Sequence, residues 1–119
     1  MVILRVVFSG YIAFIALLSL IPAGPEMPGG MSDKLAHFGA YALMALIGMQ
    51  VTATARGRTA MMISLVAVGA GLEAIQAIIP LRVPSGWDLV SNVMGVVAGG
   101  AFWLVILRLR LVLVNTGDL

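Results

Sequence analysis

An all-α fold, a bundle of four transmembrane helices with both termini cytoplasmic, is what this sequence predicts, and three observations carry the prediction. First, 61% of the residues are hydrophobic and only 10% charged, at a mean hydropathy of +1.11. A soluble body of 119 residues has too much surface for its volume to be covered by so little charge, so the excess apolar residues are expected to face lipid. Second, four apolar stretches follow one another, each near the ~20 residues that cross about 30 Å of hydrocarbon. Third, arginines collect in alternate connections, as the positive-inside rule requires of a polytopic protein.

The first stretch, 2–21, runs into Pro22 and the breaker-rich "PAGPEMPGG". With a single basic residue, Arg5, and no evident small-residue cleavage pattern, it is expected to be a retained helix rather than a signal peptide. The second, 34–54, is followed by "ARGR"; the third, 59–79, is closed by Pro80 and the turn "LRVPSGW". The fourth, 88–107, precedes Arg108 and Arg110. Arg56, Arg58, Arg108, Arg110 and Arg5 then mark the cytoplasmic side, while the opposite loops hold the mixed set Glu26, Asp33, Lys34, Arg82 and Asp88. The chain reads as one domain, 1–119.

The totals also exclude. A net charge of +2 without a basic patch argues against a nucleic-acid partner. The absence of cysteine removes disulfides, thiolate metal sites and cysteine nucleophiles. A single histidine argues against a transition-metal cluster held by protein alone, and no cofactor is expected. Small residues at helical spacing, Gly95 with Gly99, Ala67 with Gly71 and Ala70 with Ala74, are expected to pack helices closely.

Several polar residues lie where apolar ones are expected. Asp33, His37 and Tyr41 form an i, i+4, i+8 stripe on the second helix; Glu73 and Gln76 are i, i+3 on the third; Asp88, Asn92 and Gly95 are i, i+4, i+7 on the fourth. Under the predicted topology all three stripes end in one thin slab beneath the outer surface. Charged groups in a bilayer cost several kcal/mol unless paired or hydrated, so the stripes should face one another. Plainer roles exist. Asp33 after Ser32, and Asp88 after Ser85, have the look of N-terminal caps, Lys34 of an interfacial anchor whose stem snorkels, and the whole set of glue between helices. Glu73 resists such accounts, because "VAVGAGLEAIQAIIP" gives no helical reason for an acid.

The stretches "DKLAHFGAYALMAL" and "GLEAIQAIIPLRVPSGWDLVSNVMG" together resemble the VanZ-like family of small bacterial membrane proteins. The pattern is Asp33-Lys34-x-x-His37-Phe38-x-x-Tyr41, then Glu73-x-x-Gln76, Arg82, and Asp88-x-x-x-Asn92-x-x-Gly95, spanning residues 33–95 in order. The resemblance implies a multi-pass protein of the bacterial inner (plasma) membrane, here a minimal member with short loops. The family is named for a protein encoded with glycopeptide-resistance genes that raises teicoplanin resistance. An acyltransferase-like label, phosphotransbutyrylase, also attached to the family, finds no supporting chemistry in these residues.

Three functions remain open at this level. In the first, the pocket Asp33, Lys34, His37, Tyr41, Glu73, Gln76, Arg82, Asp88 and Asn92 binds or handles an anionic lipid or cell-wall precursor headgroup without catalysis. Lys34, His37 and Arg82 would meet the phosphate beside the N-termini of the second and fourth helices. Through the resemblance, undecaprenyl-linked intermediates are the ligand class, and membrane lipid is the expected partner. In the second, an intramembrane hydrolase or transferase acts on a lipid phosphate, with His37 as nucleophile or base oriented by Asp33 and Glu73 as acid or base. Glu73 and Asp88 are alternatively placed to share a Mg²⁺ with that phosphate. No phosphatase motif supports catalysis, and Ser85 lacks a G-x-S-x-G setting. The third is a structural assembly partner.

Overall fold

The computed structural model describes residues 1–21, 31–80 and 84–117, with the side chains of all but Met31 and Ser32. Among them lie four helices, α1 Val2–Leu20, α2 Met31–Val51, α3 Ala55–Gln76 and α4 Gly86–Thr116. The all-helical class and the helix count follow the expectation. Three of the four, α1, α3 and α4, are long and apolar enough to cross a membrane by length and composition. The exception, α2, carries Asp33, Lys34 and His37 in its first two turns.

The ends of the helices differ from the apolar stretches for identifiable reasons. α2 is already helical at Met31, so Ser32 lies within it rather than ahead of it as a cap. It stops at Val51, and the Thr52 hydroxyl turns back to the Gly48 and Met49 carbonyls at 3.2 and 3.1 Å. Thr54 then caps α3, its hydroxyl accepting from the Gly57 N–H at 3.0 Å, so Arg56 and Arg58 fall inside the first turn. α4 runs nine residues past 107, because arginines do not end a helix. Its stop is Gly117, whose φ of 75° is the left-handed conformation that glycine adopts without a Cβ clash. At 31 residues α4 is about 46 Å long, against about 33 Å for the 22 residues of α3.

The helices run up and down in chain order. α1 is antiparallel to α2: the Tyr11 hydroxyl donates to the Ala40 carbonyl at 3.1 Å, and Phe8 lies over Gly48. α2 and α4 are parallel and share the most extensive interface, whereas α1 touches only α2 and α3 among the described residues. At Gly95 and Gly99 that α2–α4 contact reaches the backbone. A Cβ added to Gly95 would strike the Phe38 carbonyl oxygen, and one added to Gly99 would strike the Ala42 carbonyl oxygen. Two glycines four apart therefore seat on two carbonyls four apart, the close approach that the GxxxG step predicts. Met44, Ala45, Leu65 and Val96 fill the buried centre beside this seam.

The small residues of α3 behave differently. Ala67, Ala70, Gly71 and Ala74 are all exposed, and a Cβ on Gly71 would meet nothing. Their expected packing role within the chain is thus corrected: α3 turns Leu65, Gly69 and Gln76 inward instead. At the end where α2 leads into α3, the Arg58 guanidinium lies 4.3 Å from the centre of the Trp103 ring, a cation–π contact that ties α3 to α4.

Candidate functional site

Parallel α2 and α4 begin at the same end of the molecule, and α3 finishes there. The lock of Gly95 and Gly99 on α2 sets which α4 residues face it one and two turns earlier, and these are Asn92 and Asp88. Both are buried. From α2, the first two turns present Asp33, Lys34 and His37 to the same point. The three sequence stripes therefore converge, as the cost of isolated polar groups in an apolar body requires.

The contacts are specific. Lys34 Nζ donates to Asp88 Oδ1 at 3.2 Å, joining α2 to α4. His37 Nδ1 lies 3.0 Å from Asn92 Oδ1. Because an amide oxygen only accepts, Nδ1 carries the hydrogen of that bond and the ring is held with Nε2 turned the other way. Nε2 points at two carboxylates, Asp33 Oδ1 at 3.8 Å and Asp88 Oδ2 at 4.0 Å. Both distances exceed hydrogen-bond length, so the three groups look at one another across a gap. One donor atom from each of Asp33, His37 and Asp88 lies within 4.8 Å of the others, the spacing of a possible cation site.

Glu73 reaches the same region from α3. Its carboxylate stands in the field of Asp88, His37 and Asp33, near the Ser85 backbone. Its Oε2 is shut off from solvent and has no hydrogen-bond partner. Tyr41 lies a turn deeper than His37 and is almost wholly buried. Gly69 makes the room for it: a Cβ there would come within 3.2 Å of the Tyr41 ring and 3.3 Å of Asn92 Nδ2. Gly69 is a contributor that sequence spacing did not single out, although a glycine facing a polar stripe was the available signal.

Of the described residues of the predicted pocket, Gln76 stands apart. Gln76 donates through Nε2 to the Ser19 carbonyl at 2.7 Å, so it ties α3 to α1 and answers a carbonyl left open at the end of α1. Arg82 lies outside the described residues. The capping readings are also revised. Ser85 stands at the N-cap of α4 with extended backbone but makes no side-chain capping bond, and Asp88 pairs with Lys34. Lys34 is accordingly a cross-helix ion pair rather than a lone surface anchor, although its side chain keeps 26% exposure.

Chemically, the described site joins one ammonium, one oriented imidazole and three carboxylates, an excess of acid over base. Its single histidine, the reason to expect no protein-held metal, is supplemented by two carboxylates from different helices. Comparison of the chain with protein-family models, with curated proteins and with solved structures finds no match.

Proposed function

We propose that this chain is a VanZ-like, four-span protein of the bacterial inner membrane, with both termini cytoplasmic and the polar site just beneath the outer surface. There it binds or handles the phosphate of an anionic lipid or cell-wall precursor headgroup, with undecaprenyl-linked intermediates the class that the sequence resemblance favours. The observation that carries this reading is the delivery of Asp33, Lys34, His37, Glu73, Asp88 and Asn92 by three helices to one end of an otherwise apolar body. Lys34 is the mobile partner: partly exposed, its ammonium can exchange Asp88 for a phosphate oxygen. A link to glycopeptide tolerance rests on the resemblance alone.

Topology is tested first. With no native cysteine in the sequence, single cysteines at positions 27, 57 and 84 report sidedness to an impermeant thiol reagent in intact cells. Positions 27 and 84 are expected to label and 57 to stay silent until the membrane is opened. The reverse pattern moves the site to the cytoplasmic leaflet.

Headgroup binding is tested by the lipid retained on purified variants. Lys34→Ala, His37→Ala and Arg82→Ala are each expected to lower retention of anionic lipid while the helices remain folded. The two interfacial cations should lose their effect as salt is added. Glu73→Gln keeps the shape but removes the buried charge, and should impair retention with little loss of stability. Retention at the wild-type level in all three basic variants leaves only helix-gluing as the role of the cluster.

A hydrolase or transferase acting on a lipid phosphate is the second reading. It is favoured by one feature: His37 is anchored through Nδ1 and presents Nε2 unbonded, the posture of a general base or nucleophile. Turnover of a lipid phosphate by purified protein, assayed with and without divalent metal, separates it from simple binding.

A further inference from the structure

We propose that Asp33, His37 and Asp88 bind a divalent cation of the class that accepts imidazole and carboxylate together, such as Zn²⁺ or Mn²⁺, and that this ion receives the phosphate. The role of the ion toward phosphate rests on the headgroup reading; its binding does not.

Three independent features point to it. The first is the gap itself. The Asn92 bond turns the Nε2 edge of the His37 ring toward Asp33 Oδ1 and Asp88 Oδ2, at 3.8 and 4.0 Å. Two carboxylates and an imidazole nitrogen aimed at one point form a site that favours a positive charge between them. Asn92 acts as the outer partner that fixes the tautomer and direction of a metal-binding histidine, an arrangement that accompanies nearly every such ligand.

The second feature is Glu73, whose Oε2 is closed off from solvent and without a hydrogen-bond partner while its carboxylate lies within the field of Asp88, His37 and Asp33. An uncompensated carboxylate oxygen in an apolar surrounding is costly, and a cation nearby removes the cost. The third is charge. Three carboxyl groups outnumber one ammonium among the described residues, and a divalent ion offsets that excess of acid.

The spacing suits such an ion after a small closure. Bonds of about 2.1 Å at tetrahedral angles hold donor atoms roughly 3.4 Å apart, so donors now within 4.8 Å of one another must draw in by no more than about 1.4 Å. Asp33 is free to supply that movement, being the most exposed of the three at 34% of its side chain. Three protein ligands leave a position open, and a phosphate oxygen fits there as co-ligand. This assignment differs from a Glu73–Asp88 pair holding Mg²⁺, since it uses the imidazole and leaves Glu73 outside the ligand set. Among the described residues the rival for Asp88 is Lys34, 3.2 Å from Oδ1.

The test uses the full chain, purified in detergent, stripped with chelator and desalted. Mn²⁺ is titrated in, and loss of the free-ion electron paramagnetic resonance signal reads its uptake; Zn²⁺ is then added to displace it. Wild type should take up one ion saturably. Asp33→Asn, His37→Gln and Asp88→Asn should each weaken uptake by about tenfold or more. Lys34→Ala should bind as tightly as wild type or more tightly, because the competing ammonium is gone. Circular dichroism on each stripped variant checks the helices, and the wild-type titration stands whatever the variants do. No saturable uptake by wild type, or unchanged uptake in all three ligand variants, overturns the proposal. Anionic-lipid retention is measured on the same stripped and metal-loaded samples. Retention without any ion uptake removes the cation site and leaves the headgroup reading standing; ion uptake without retention in either state does the opposite.

Discussion

Gly99→Leu is expected to destabilise the protein by on the order of 3 kcal/mol, the largest effect of any single substitution outside the polar site. At Gly99 even a Cβ collides with the Ala42 carbonyl oxygen, and that atom is backbone with no rotamer through which to yield. Relief demands separation of α2 from α4 along the most extensive contact in the fold. Gly71→Leu is the matched control, because nothing lies near its Cβ position. It should leave stability within about 0.5 kcal/mol of wild type, as surface substitutions do. Unfolding in mixed micelles, followed by circular dichroism, measures both. Equal loss in the two variants would mean that leucine itself, rather than the α2–α4 seam, is the cause.

The second large effect is expected at Asp88. Asp88→Ala leaves the Lys34 ammonium without its partner and removes one of the two carboxylates facing His37. Breaking a buried pair from one side typically costs 3–5 kcal/mol; with Lys34 about a quarter exposed, about 2 kcal/mol is the reasonable figure here. The double variant Lys34→Met with Asp88→Leu removes both charges and should recover most of that stability while losing the capacity to hold a ligand. If the double variant is no more stable than Asp88→Ala, the unpaired ammonium is not the source of the loss.

Much of this arrangement was legible in the sequence because lipid-like segments have a simple grammar. Four apolar runs gave four helices, and the i, i+4 spacing of Asp33 with His37 and of Asp88 with Asn92 placed each pair on one face. Their convergence followed from the cost of polar groups in apolar surroundings, and it appears in the Lys34–Asp88 and His37–Asn92 contacts. Three things were not legible, each for a physical reason. Gln76 shares a face with Glu73 by spacing, yet a long amide reaches the nearest open carbonyl, and whether α1 offers one is a tertiary fact. The small residues of α3 carry no sign of direction, since smallness permits close approach without requiring it. The length of α4 was hidden because hydropathy falls at Arg108 and Arg110, while the helix ends only where Gly117 turns it.

The glycine seam has a consequence in angle. Each residue turns an α-helix by about 100°, so Asp88, Asn92, Gly95 and Gly99, at steps of four, three and four, stay within an arc of about 60°. Both the wedge that docks α4 and the groups that serve the site are read from this one phase. A single residue added or lost between Asn92 and Gly95 swings the acidic and amide groups about 100° away from His37 while the glycines stay seated. Distance along the chain is therefore the controlled dimension from Asp88 to Gly99, and side-chain chemistry is tuned only within it. Insertions between Asp88 and Gly99 are therefore expected to be far more damaging than insertions in the connections outside that stretch.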